Sequence, residues 1–96
     1  MNREKIIETI RAEKPYLQKK FGVEEIALFG SFARGDEQPE SDIDILVKMN
    51  DKSLRGFIGI IDFLQAKLHR KVDLVTKHKY LSDRFIQVAS KDIIYV

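Results

Sequence analysis

The sequence predicts an α/β (α+β) fold: a small mixed β-sheet with helices packed on it. Three observations lead there. The apolar residues switch between helical and strand spacing in the order αβαβαβαβ. Hydrophobic residues make up 44% and charged residues 33% of 96 residues, a globular composition rather than a disordered one. No apolar run approaches the roughly 18 residues that a membrane-spanning helix needs. The chain therefore reads as one domain over residues 1–96.

The elements follow in order. Asn2 caps a first helix with Ile6, Ile7 and Ile10 on one face. Pro15 is expected to interrupt or restart it, and Leu17 and Phe21 extend the apolar stripe to Gly22, a helix-stop residue. Residues 23–29 read as the first strand, 31–34 as one helical turn, 35–41 (GDEQPES) as a polar loop and 42–49 as the second strand. Residues 50–53 form a turn and cap. A helix over about 54–69 places Leu54, Phe57, Ile58, Ile61, Leu64 and Leu68 on one side. A third strand covers 71–76 and a connection 77–81. Ser82 caps a last helix carrying Phe85, Val88 and Ala89, and 93–96 is a short terminal strand.

Composition narrows the chemistry. Cysteine is absent, which excludes a disulfide framework, a thiolate metal site and a Cys nucleophile. The N-terminus, MNREKIIETI, lacks a signal-peptide pattern, so a cytoplasmic, soluble protein with no membrane attachment is expected. The net charge of +2 divides unevenly. Residues 1–48 hold 8 basic and 10 acidic side chains, or −2, and residues 49–96 hold 9 and 5, or +4. That surplus is too small to predict direct nucleic-acid binding.

The stretch LFGSFARGDEQPESDIDILV carries the chemistry. Asp42 and Asp44 alternate along a strand, so both point the same way, roughly 6.7 Å apart. Two like charges on a mostly buried strand are costly without a cation. The Gly30-Ser31 turn after an apolar strand exposes backbone N–H groups suited to phosphate. Asp73 is a lone carboxylate in an apolar strand, and a buried Asp rarely persists without a partner. Either it pairs with Lys71 or Arg70 at a strand edge, or it joins Asp42 and Asp44. Beside Asp-x-Asp and Gly-Ser, the second reading prevails, and three carboxylates can hold two Mg²⁺ about 3.5–4 Å apart for in-line displacement.

This pattern resembles the minimal nucleotidyltransferases of the polymerase-β-like superfamily: Gly-Ser, a helical turn, Gly, Asp-x-Asp, and a third carboxylate on a later strand. Here these are Gly30, Ser31, Gly35, Asp42, Asp44 and Asp73. The resemblance covers nearly the whole chain. It implies that Asp42 and Asp44 bind Mg²⁺, that Asp73 is ligand and base, and that Gly30 and Ser31 hold the triphosphate of ATP. It also implies a protein adenylyltransferase that transfers AMP to a tyrosine of a HEPN-domain toxin, as the antitoxin of the pair. Two rivals remain: a non-catalytic binding antitoxin, and an enzyme modifying a small molecule. The oligomeric state stays open, a homo-oligomer included.

Other residues carry weaker signals. Arg34 either meets a phosphate or faces solvent. Ser41 suits a turn better than nucleophilic attack, since no His stands near it in sequence. His69 fits a helix end, and His78 lies in a polar connection. Phe32 suits core packing better than base stacking, and Arg84 suits the surface. Tyr16, Tyr80 and Tyr95 are candidates for self-modification.

Overall fold

The computed structural model describes residues 1–50, 53–77 and 92–96. The expected helix capped by Ser82, with Phe85, Val88 and Ala89, lies outside the described residues, as do His78, Tyr80 and Arg84.

Helix α1 spans Arg3–Phe21. Its start is fixed by the Asn2 side chain, which accepts from the Lys5 N–H at 2.9 Å. Its end is fixed by Gly22 in the left-handed region, φ 68°, whose N–H bonds back to Gln18 and Leu17. Pro15 neither interrupts nor restarts this helix. The proline ring is exposed, and burial of Leu17 together with the stacking of Tyr16 on Phe63 (centroids 4.7 Å apart) holds the second half in line. Tertiary packing outweighs the lost hydrogen bond here.

Strand β1 (Val23–Phe29) leads into α2 (Gly30–Arg34), a single short helix closed by Gly35 at φ 85°. Strand β2 (Ile43–Met49) begins one residue after Asp42, and α3 (Leu54–Leu68) follows a Ser53 cap. The buried stripe of α3 is Ile60, Leu64 and Leu68, with Phe57 and Ile61 beside it. Leu54 and Ile58, expected on that stripe, are 72% and 47% exposed. Residues 57, 60, 64 and 68 keep a closer helical repeat than one that includes 54 and 58. Strands β3 (Val72–Thr76) and β4 (Ile94–Tyr95) complete the described elements. Among the described residues, no helix is long and apolar enough to cross a membrane.

The sheet order is β3-β2-β1-β4. β2 pairs antiparallel with β1 and parallel with β3, so the sheet is mixed as expected. Alternation along the strands divides it into two faces. Ile26, Leu28, Ile43, Ile45, Val47, Val72 and Leu74 form the core with Ile6, Ile10 and Leu17 of α1 and Ile60, Leu64 and Leu68 of α3. The alternate positions form the opposite face. Phe29, Asp44 and Asp73 make one row across β1, β2 and β3. Tyr95, Ala27, Leu46 and Val75 make the next.

Candidate active site

Parallel pairing of β2 with β3 puts Asp44 directly opposite Asp73. The two carboxylates therefore emerge side by side on the face without α1 and α3. Burial raises the Asp44 carboxyl from the usual 3.8 to about 6, reinforced by the charges of Asp73 and Asp42 and by a hydrogen bond to Asp73, while Arg34 opposes. A carboxyl this reluctant to ionise beside two others is what a cation-binding or proton-handling site produces.

Asp73 departs from expectation in its burial. It is exposed, because the pleat of β3 turns Val72 and Leu74 inward and Asp73 outward. The alternative pairings are also absent among the described residues. Lys71 faces Asp42 at 3.9 Å, and Arg70 binds backbone carbonyls. Asp42, at the head of β2, is close enough to act on Asp44 electrostatically. Among the described residues, no three acidic or imidazole side chains converge at metal-ligand spacing. The arrangement is a close pair, Asp44 with Asp73, and an outlying Asp42. The Asp42–Lys71 pair is well exposed on both sides, which makes it a weak tether. The three side chains offer hard carboxylate oxygens, the donor type that Mg²⁺ prefers.

Gly30 opens α2 at φ 74°. A Cβ built there would meet the Asp44 side chain, 2.9 Å from its Cγ. Glycine is required on both counts, by backbone conformation and by the close approach of the carboxylate. The Gly-Ser turn and the Asp-x-Asp strand are thus in contact. The carbonyl of Ser31 closes α2 by accepting from Gly35 and Asp36 at 2.8 and 3.0 Å. α2 is tied to α1 by Arg3, whose Nη1 donates to the Ala33 carbonyl at 2.9 Å.

The remaining candidates separate clearly. Arg34 pairs with Asp36 at 3.1 Å, and that bond raises its guanidinium pKa further, with Asp92 and Asp44 also within electrostatic range. Phe32 packs in the core at 1% exposed. The Ser41 hydroxyl accepts from the Gln38 N–H at 2.8 Å, a turn role. His69 is the left-handed cap of α3, φ 53°. Tyr16 belongs to the α1–α3 side, away from the carboxylate face. Tyr95 shares the carboxylate face, but its hydroxyl is bound by Lys77 Nζ at 3.3 Å, and Lys77 also pairs with Glu25, beyond Ala27 from Asp44. Of the two, Tyr95 alone stands on the carboxylate face, where it is 53% exposed. Sequence reasoning weighed Arg70 only as a partner for Asp73 and missed its hydrogen bonds to the Ser41 and Gln38 carbonyls, and it missed the Gly30–Asp44 contact. The glycine had a signal in its position directly after an apolar strand, whereas the Arg70 bonds had none.

Comparison with known proteins fits this geometry. A family profile described as "Nucleotidyltransferase domain" matches residues 10–96. The protein adenylyltransferase MntA of Thermococcus cleftensis is 38% identical over 94 residues, which cover 97% of this chain and 94% of that protein. A solved mutant of the toxin–antitoxin MntA–HpeT is similar at TM-score 0.66 and 26% identity, covering 99% of this chain and 72% of that one. The solved complex of a tri-AMPylated Shewanella oneidensis HEPN toxin with its MNT antitoxin is similar at TM-score 0.57 and 26% identity, covering 98% and 67%. With the Gly-Ser turn touching an Asp-x-Asp strand and a third aspartate in register beside it, the chain belongs to the nucleotidyltransferase family, among its protein adenylyltransferase members.

Proposed function

We propose that this enzyme is an Mg²⁺-dependent protein adenylyltransferase that moves AMP from ATP to a tyrosine of a HEPN-domain toxin, and so serves as the toxin's antitoxin. The observation that carries this reading is the register pair of Asp44 and Asp73, with Asp44 pressed against Gly30 at the head of α2. The solved relatives support the partner class, since one pairs an MNT antitoxin with an AMPylated HEPN toxin.

In this reading the tyrosine oxygen attacks the α-phosphorus of ATP. The new bond is Tyr–O–P, the bond broken is that to the β-phosphate oxygen, and pyrophosphate leaves. Asp73 takes the tyrosine proton, a role suited to its exposure at the open face. Gly30 and Ser31 cradle the triphosphate, and Arg34 stands within range of its charge. Asp42, Asp44 and Asp73 would hold Mg²⁺, in two ions if the site is filled as in other two-metal transferases. Bound Mg²⁺ supplies neutralisation of the charge that develops on the leaving pyrophosphate. The acceptor tyrosine and the surface that orients it come from the partner.

The test is to incubate the purified chain with ATP, Mg²⁺ and the helical HEPN-type protein encoded beside it, and to look for added AMP by mass spectrometry. Modification of a tyrosine in the wild type and none with Asp42→Asn is expected. A partner left unmodified yet neutralised by both would establish binding alone as the mechanism. Modification of a small molecule instead would redirect the substrate assignment.

A further inference from the structure

Asp42 stands at the end of the connection from α2 to β2, residues 35–41. A local turn braces its end, where the Gln38 N–H donates to the Ser41 hydroxyl at 2.8 Å and the Ser41 N–H to the Gln38 carbonyl at 3.0 Å, and a distant residue ties that turn to the rest of the fold. Arg70 follows the left-handed cap of α3 at His69 and turns back across this connection. Its Nε donates to the Ser41 carbonyl at 2.7 Å, and its Nη2 donates to the carbonyls of Gln38, at 3.2 Å, and Pro39. Its guanidinium carbon lies 5.1 Å from the centre of the Phe32 ring, in α2. One planar group thus gathers three carbonyls of the segment that delivers Asp42 and rests on the helix that begins at Gly30. The next residue continues the bracket, since the Lys71 carbonyl accepts from the Ile43 N–H at 2.9 Å. Asp42 is held from both sides, by the Arg70 side chain at Ser41 and by the Lys71 backbone at Ile43.

We propose that Arg70 is a positioning residue of the adenylyltransferase site: its clamp on Gln38, Pro39 and Ser41 sets where Asp42 stands relative to the Asp44–Asp73 pair and so sets the affinity of the three carboxylates for a divalent cation. This rests on the carboxylate assignment given under the proposed function. The guanidinium suits the task because its fork offers several donors in one plane and stacks on an aromatic face at the same time. A lysine ammonium offers neither the fork nor the stacking plane. Residues that orient ligands from behind typically change metal affinity about 10–100-fold when removed.

The experiment is an Mn²⁺ titration of the full chain, followed by electron paramagnetic resonance, on wild type, Arg70→Ala, Arg70→Lys and Asp42→Asn, with folding checked by circular dichroism. Arg70→Ala is expected to weaken Mn²⁺ binding about tenfold or more, with Arg70→Lys between it and wild type. The Mg²⁺ needed for half-maximal AMP transfer should shift in parallel, while the KM for ATP stays within about threefold and saturating Mg²⁺ restores kcat. Wild-type Mn²⁺ affinity in a folded Arg70→Ala, alongside weakened binding in Asp42→Asn, would overturn the role of Arg70 alone. Wild-type affinity in Asp42→Asn would overturn the carboxylate assignment beneath it. If Arg70→Ala does not fold, Arg70→Lys decides: unchanged affinity or loss of the fold in that variant overturns the proposal.

Discussion

The side chain of Asp44 occupies the space that a side chain on Gly30 would need: a Cβ at Gly30 would lie 2.9 Å from the Asp44 Cγ. The turn at the head of α2 and the second aspartate of Asp-x-Asp are therefore fitted to each other. Gly30→Ala is expected to push Asp44 out of place and to force an L-residue into φ 74°. The backbone part alone costs about 1–2 kcal/mol. AMP transfer should fall far more than urea stability does. Equal transfer by Gly30→Ala and wild type would show that the contact has no functional weight.

Asp44→Asn should stabilise the protein in the absence of divalent cations, most at neutral and higher pH and least toward pH 4. Folding raises the Asp44 carboxyl to about 6, first through burial and then through Asp73 and Asp42. A raised folded value means that the protonated form is the favoured one. Its stabilising contribution is complete below the unfolded value of about 4 and is lost as pH rises through about 6. Asparagine stays neutral throughout. The melting-temperature gap between Asp44→Asn and wild type should therefore be widest above pH 7 and close toward pH 4. Added Mg²⁺ should raise wild type and leave the variant nearly unmoved. A gap of one size at both ends of the pH range would contradict this origin.

Ser31→Ala should weaken ATP binding with little change in stability, because Ser31 stands at the start of α2 and is only half-buried. Phe32→Ala should do the reverse. Its ring is in the core and under Arg70, so truncation costs about 3–5 kcal/mol. That is a large share of the roughly 5–15 kcal/mol a domain has. Denaturant melts and calorimetry with ATP separate the two. Stronger loss of nucleotide affinity than of stability in Phe32→Ala would return the ring to a base-stacking role.

His69→Gly should raise stability by about 1 kcal/mol. His69 caps α3 in the left-handed region at φ 53°, a conformation that glycine adopts without strain. An unchanged or lower midpoint in urea would mean that the imidazole makes up for the backbone cost.

Much of this site is legible in the sequence because its residues are local and their spacing is chemical. Gly30, Ser31, Asp42 and Asp44 lie within one short stretch, and strand alternation turns Asp44 to the open face, while Asp42 stands one residue ahead of β2. Asp73 is legible only through its oddity in an apolar strand, and its exposure was misread because Val75 is apolar as well, so the strand reads as buried on both faces; alternation against Val72 and Leu74 turns Asp73 outward. Three features depend on contacts distant in sequence. Arg70 meets a segment some thirty positions earlier. Pro15 stays within a continuous helix because Leu17 is buried and Tyr16 stacks on α3. Ile60 displaces Leu54 and Ile58 from the buried stripe because the core favours a tighter repeat on α3. Such choices belong to the packed molecule, and hydrophobic periodicity alone cannot make them.

The mixed pairing of the sheet also orders events during synthesis. β1 and β2 are neighbours in sequence, with Phe29 opposite Asp44, so the Gly-Ser turn and the first two aspartates can come together as soon as β2 leaves the ribosome. Asp73 arrives only after α3 has carried the chain across to a parallel strand. Leu28 must wait longer still, for Ile94. A nascent chain therefore displays two of its aspartates before it has the third, and its acidic face is complete only once β3 has paired with β2.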